Sequence, residues 1–160
     1  NRFLSLSSLL LGCLVLEIKP FEPADIHLVV PRQIDRSLAE QVVSDDFARE
    51  YAKRGPAYTG LWNGEAMFCA GIVILWKGVG EGWAYTSHLV NQHPCAFHRI
   101  IFRLFQLEIR HNKLHRIQFC IPKSNLISRN WAHHMGLHKE STMPKYGPDG
   151  STWIRYVRFV

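Results

Sequence analysis

The pattern of hydrophobic and polar positions changes period along the chain, and each change marks an element. Residues 83–90 (WAYTSHLV) are rich in aromatic and β-branched side chains and read as a strand. After the turn Asn91-Gln92-His93-Pro94 the apolar positions take helical spacing. Over residues 95–111 they fall at Phe97, Ile100, Ile101 and Leu104, and Phe105 and Ile109 widen the stripe. Only Glu108 interrupts the row, while Arg99, Arg103, Gln106 and Arg110 share the opposite face. One side of this helix is therefore predicted to be buried and the other basic. Residues 115–121 return to a strand pattern, so 82–122 predicts one βαβ unit. Pro94 suits the first helical turn, where its missing N–H costs nothing. A helix that starts directly after a strand aims free N–H groups and its positive dipole end at the C-terminal edge of the sheet, a ready seat for phosphate.

The rest of the chain is read around that unit. Residues 15–21 form a first strand, ended by Pro20 and Pro23, and 24–30 a short helix. Residues 34–54 are helical, with a second helix capped at Ser44-Asp45-Asp46 and stopped at Gly55-Pro56. Strands at 58–62 and 66–76 flank Asn63-Gly64, a strong hairpin signal. Residues 77–82 read as a turn, with Trp83 opening the central strand. A helix follows Asn125 and stops at Gly136; strands at 137–141 and 152–160 close the chain. The order predicts an α/β (α+β) fold: one mixed, mostly antiparallel sheet of about six or seven strands with helices on both faces.

Length and composition narrow the reading. The 160 residues suit one compact domain, and 47% hydrophobic with 20% charged residues excludes a disordered chain or a membrane bundle. Residues 3–16 are apolar but too short for a membrane span, which needs about 20 residues. One positive charge precedes them and no small-residue cleavage site follows, so 1–16 is read as an N-terminal apolar extension ahead of a single domain at 17–160. The net charge of +6 favours anionic partners or is simply a basic surface. Cys13, Cys69, Cys95 and Cys120 are widely separated with no C-x-x-C pair, the pattern of reduced, buried thiols in an intracellular protein. His111 and His115 straddle a helix end and His133-His134 are adjacent, so no metal site is expected.

With these landmarks the order resembles the GNAT superfamily of acyl-CoA N-acyltransferases over about residues 17–159, the short phage-encoded members being closest in character. The opening EIKPFEPADI is similar to the family's first strand and proline-acid turn. In NLISRNWAHHMGLHKES, Asn125, Ser128, Gly136, Leu137 and Glu140 stand where the family has an Asn, a small residue, Gly-Phe and an acid. DGSTWIRYVRF resembles its final hairpin arm. The resemblance implies acetyl transfer from acetyl-CoA, as cosubstrate, to an unidentified amine. It also implies a cytoplasmic setting in a phage or bacterial host, or association with the virion. A membrane span and nucleic-acid binding are not expected; a homodimer is one option.

The resemblance places the cofactor at Leu89, Val90, Gln92, Cys95, Ala96, Phe97, His98, Arg99, Asn125 and Ser128. The usual Gln/Arg-x-x-Gly-x-Gly/Ala loop has no glycine here: residues 91–98 read NQHPCAFH. Pro94 removes a donor, Ala96 keeps one small position, and Arg99 offers a charge-assisted contact to phosphate. The position of the family's acid tyrosine, counted from Asn125, is Ala132; His133, His134 and Tyr146 are the substitutes at hand. Candidate bases are Glu81, just before the central strand, and His88, within it. His88 also reads as a histidine hydrogen-bonded in the sheet, Asn125 as a helix cap, and Cys95, near His98, as an ordinary buried thiol rather than a nucleophile. The missing glycines and tyrosine keep an alternative open: an inactive protein of this fold, either a phage structural or adaptor component or a CoA-binding module. A nucleic-acid surface at Arg99, Arg103 and Arg110 lacks any motif to support it.

Overall fold

The computed structural model describes residues 9–11 and 14–160, with side chains from Leu16 onward. Among the described residues eight strands form one sheet: β1 (Leu9–Leu11), β2 (Leu14–Pro20), β3 (Ala57–Trp62), β4 (Glu65–Trp76), β5 (Val79–Thr86), β6 (Arg116–Pro122), β7 (His138–Met143) and β8 (Trp153–Phe159). Their order is β1-β2-β3-β4-β5-β6-β8-β7. Every neighbouring pair is antiparallel except β5 and β6. This is the mixed, mostly antiparallel α/β sheet expected, with β1 as an eighth strand: Leu9 faces Leu16 and Leu11 faces Leu14. The apolar extension expected at 1–16 lies partly outside the described residues, and its described part joins the edge of the sheet.

The helices are a 3-10 segment (Pro23–Leu28), α1 (Gln33–Val42), α2 (Asp45–Lys53), α3 (Leu89–Gln92), α4 (Pro94–His111) and α5 (Leu126–His134). Caps fix their starts. Ser44 Oγ accepts the Phe47 N–H at 3.1 Å, and Asn125 Oδ1 accepts the Ser128 N–H at 3.0 Å. Pro31 bridges to Ser87 and the Arg32 N–H reaches the Thr86 carbonyl, so α1 begins against the end of β5.

The central strand sits earlier than its pattern suggests: β5 is Val79–Thr86, not 83–90. The turn before it is short, with Gly78 at φ +82°. Gly82 is a strand residue, kept small because a Cβ there would lie 2.0 Å from the Phe119 ring. After Thr86 the Ser87 hydroxyl accepts the Leu89 N–H at 3.3 Å and turns the chain into α3, so His88, Leu89 and Val90 leave the strand.

The helices α4 and α5 cover one face of the sheet. There Ile100, Ile101, Leu104 and Phe105 pack on Phe68, Ile117 and Phe119, and each such side chain contributes about 1.5–3 kcal/mol on burial. Glu108, the interruption in the α4 row, is buried beside Tyr58, whose hydroxyl donates to it, and Asn112 Nδ2 adds a bond at 3.0 Å. The 3-10 segment, α1 and α2 lie on the other face, over a smaller cluster of Phe21, Ile26, Val29, Ala48 and Cys69. Asp25 is buried there yet fully bonded. It accepts from Lys19 Nζ at 2.7 Å, from Thr59 Oγ1 at 2.8 Å and from the Glu22 N–H at 3.1 Å. Burial pushes its pKa up, but these donors outweigh burial and hold the carboxyl below its usual range.

Candidate active site

The strands β5 and β6 pair only from Val79 with Arg116 to Glu81 with Gln118. Beyond that point β5 continues to Thr86 and β6 to Pro122 with no ladder between them. Phe119 sits where they part, against Gly82 and with its ring 5.7 Å from Phe105 and 6.3 Å from Trp131 of α5. The gap opens into a cleft of about 610 Å³ that reaches α1 and α2 on one side and α3, α4 and α5 on the other. Facing backbone groups of the two diverging strands have no strand partner here, so an extended ligand arm can take the place of a strand.

Side chains alternate along β5, which sends Glu81, Trp83 and Tyr85 to the α1–α2 face. Gln118 Nε2 donates to Glu81 Oε2 at 2.7 Å, and Cys120 Sγ lies 4.0 Å from the same oxygen. Tyr146, in the loop between β7 and β8, lines the same cleft. Its phenol is pushed up to about 12 by burial, with Cys120 and Glu81 adding to the effect. Burial likewise raises the Cys120 thiol, with Glu81 contributing next. At neutral pH the cleft therefore holds a protonated phenol and a protonated thiol beside Glu81. Arg155 of β8 is in register with Cys120.

The sequence candidates divide between two places. Glu81, Val90, Phe97, Asn125, Ser128 and Tyr146 line the cleft. Gln92, Cys95, Ala96 and Arg99 line a separate groove with Trp62, which stacks on His93 at 4.2 Å. The two spaces share Pro94. Leu89 is buried in the core, and His98 stands beside Phe102 at 5.9 Å, outside both. His88 is not in the sheet, as its strand-like surroundings suggest; it precedes α3, with its side chain half exposed and 3.9 Å from Glu65. Cys95 is exposed rather than buried: it stands in the first turn of α4 and outside the helix's buried row, which begins at Phe97.

Asn125 caps α5 and also reaches out: its Nδ2 donates to Asp35 Oδ1 at 3.2 Å. Asp35 in turn accepts from Arg32 Nε at 2.7 Å. The same guanidinium spans to Asn91 Oδ1 at 3.5 Å and Ser128 Oγ at 3.4 Å. This latch joins α1, α3 and α5 across the mouth of the cleft. Sequence reasoning missed Arg32 and Asp35, for which the only local signal is an Arg three residues before an Asp at a helix start. It also missed Tyr51 and Cys120, which read individually as core residues. Among the described residues no three His, Cys, Asp or Glu side chains gather as metal ligands, and no helix is long and apolar enough to cross a membrane.

A mixed sheet whose one parallel pair diverges into a ligand-sized cleft, flanked by helices on both faces, is the fold of the GNAT acetyltransferases. Solved structures carry the same architecture. One is yncA from Salmonella typhimurium, solved with its cofactor acetyl-CoA. It superposes with a TM-score of 0.69 at 17% identity, covering 90% of this chain and 93% of its own. A GNAT-family acetyltransferase from Bacillus anthracis matches with a TM-score of 0.67 at 14% identity, covering 92% and 95%. RimL, a ribosomal L7/L12 α-N-protein acetyltransferase in complex with coenzyme A, matches with a TM-score of 0.71 at 12% identity, covering 91% and 94%. No family model matches the sequence, and no curated protein does either.

Proposed function

We propose that the chain is an acyl-CoA-dependent N-acetyltransferase that transfers acetyl from acetyl-CoA to an amine. The observation that carries this reading is the divergence of β5 and β6 with Glu81 and Tyr146 in the cleft it opens. The cleft fits the cosubstrate's slender arm: it offers unpaired strand groups along its length, apolar contacts at Val90 and Phe97, and polar ones at Asn125 and Ser128. In the adjoining groove, which shares Pro94 with the cleft, Cys95 and Ala96 stand in the first turn of α4, at its positive end. Gln92 and Arg99 lie beside them. Acetyl-CoA, when bound, supplies an activated acetyl group as a thioester. Glu81 takes the proton that the attacking amine must lose, while Gln118 holds the carboxylate in place. The Tyr146 phenol, kept protonated, supplies a proton to the departing sulfur. An unpaired strand N–H is the donor for the carbonyl oxygen. His88 is given no part, since it faces Glu65 outside the cleft. The setting in a phage or bacterial host belongs to the same reading.

A non-catalytic CoA-binding or phage adaptor role is the second reading, favoured by Pro94 in the phosphate turn and by Ala132 in place of a tyrosine. Calorimetric titration with acetyl-CoA and an assay of thiol release with amines separate the two. Micromolar binding with turnover supports the enzyme. Binding without turnover supports a CoA-binding module, and no binding at millimolar acetyl-CoA sinks the enzyme and leaves the adaptor role.

A further inference from the structure

We infer that the acceptor is an arylalkylamine: one primary amine carried on an aromatic ring through a short alkyl chain. This rests on the N-acetyltransferase reading. The acceptor side of the cleft is the wall of β5, α1 and α2, opposite Asn125 and Ser128. Aromatic rings dominate that wall. Phe47 and Tyr51 stack at 4.0 Å, and Trp83 meets them nearly edge-on, at 6.1 Å and 84° and at 5.4 Å and 85°. Phe21 braces Trp83 from behind at 5.5 Å. These rings hold one another in fixed orientations, so they present a preformed apolar surface rather than a collapsing one. Leu38 and Val42 of α1 extend it towards the mouth.

Charge decides the rest. Two carboxylates line the cleft among the described residues, Asp35 and Glu81. Asp35 is already paired with Arg32 at 2.7 Å. Glu81 has only neutral partners, Gln118 and Cys120. The cleft thus has one unpaired negative charge, set at its inner end where the strands part. On the β6–β8 side Arg155 is close enough to oppose part of the rise in the Tyr146 and Cys120 pKa values. A first ammonium is stabilised at Glu81; a second would lie against Leu38, Val42 and Phe47 or be repelled by Arg155. That disfavours polyamines and aminosugars. A peptide acceptor needs backbone partners along its length; the unpaired backbone groups of β5 are taken by the cosubstrate's arm, and the side chains of this wall offer rings and aliphatic groups. An aromatic ring lying on Phe47 and Tyr51 while its amine reaches Glu81 satisfies both features. The ammonium first gives one proton through Glu81 to solvent. The neutral nitrogen then bonds to the acetyl carbon as the carbon–sulfur bond breaks, and its second proton goes to Glu81. Tyr146 gives the proton that lets the sulfur leave as the thiol, the phenol being reprotonated from solvent.

The test begins with acetyl-CoA binding, followed by thiol release with 2-phenylethylamine, n-hexylamine, spermidine and a short peptide with a free N-terminus. The expected kcat/KM for 2-phenylethylamine exceeds that for spermidine and the peptide by at least about tenfold. The Val42→Asp variant adds a charge to the apolar wall at a partly exposed site. It is expected to lower the phenylethylamine value by about tenfold while acetyl-CoA affinity and Tm hold. If acetyl-CoA binds but spermidine or the peptide is preferred, or no amine of the four reacts, the acceptor class is overturned while the cofactor site stands. If acetyl-CoA does not bind, both fall.

Discussion

The two faces of the sheet solve different problems. The α4–α5 face is a continuous apolar core in which even the one carboxylate, Glu108, is bonded out of harm by Tyr58 and Asn112. The α1–α2 face has a smaller apolar cluster and a high density of polar groups: Asp25, Thr59 and Cys69 beneath it, Glu81 and Cys120 at its edge. The larger apolar core lies on the first face, and the proposed chemistry on the second. On the second face the regular alternation of β5 places Glu81, Trp83 and Tyr85 in the cleft, while Tyr146 reaches it from the loop between β7 and β8.

Substitutions on either face break or sharpen this contrast. The largest effect on folding is expected from Leu104→Ala, which leaves a cavity between α4 and the sheet and costs about 2–5 kcal/mol in urea unfolding. The largest effect on activity is expected from Glu81→Gln: thiol release falls about 100-fold or more at neutral pH, while the unfolding midpoint moves little. If Glu81→Gln instead unfolds the protein, or leaves thiol release high, the division between faces is wrong. Asn125→Ala sits between the two regimes. It removes the α5 cap at a cost of about 1 kcal/mol and frees Asp35 from one arm of the latch. Acetyl-CoA affinity, followed by calorimetry, should weaken with it.

The smallest expected effect is on acid stability, through Asp25. Its folded pKa is depressed, so its contribution is fully present above the unfolded carboxylate range near pH ~4 and is lost as pH falls through the lower folded value. Wild-type stability should fall across that window, and Asp25→Asn should flatten the fall while lowering stability at pH 7. Unfolding midpoints measured from pH 7 down to about pH 2 would decide it.

Much of the fold was legible because its signals are local. The α4 stripe, the Ser44 cap and the Asn63-Gly64 hairpin, with both residues at positive φ, each act within a few positions. The position of β5 was misread because glycine signals a turn and a tight packing site in the same way. Gly82 is there for the Phe119 ring, 37 residues onward in the chain, and nothing nearby in sequence says so. His88 was drawn into the strand by the same error. The candidate site was legible only in pieces. Glu81 and Tyr146 could be named as titratable residues, but their shared cleft depends on where β5 and β6 separate. The latch of Arg32, Asp35, Asn91, Asn125 and Ser128 joins segments separated by 59 to 96 positions, beyond the reach of any periodic pattern.

The placement of the tryptophans makes the molecule its own optical probe. Trp83, Trp131 and Trp153 border the cleft, and Trp62 is stacked in the neighbouring groove. Trp76 is far more open to solvent, at 66% exposure, and supplies a steady background emission. Anything that enters between β5 and β6 displaces water from the surroundings of three indoles at once. Filling the cleft should therefore shift or quench the native fluorescence without a label, whereas a molecule adhering elsewhere on the basic surface should leave the spectrum unchanged.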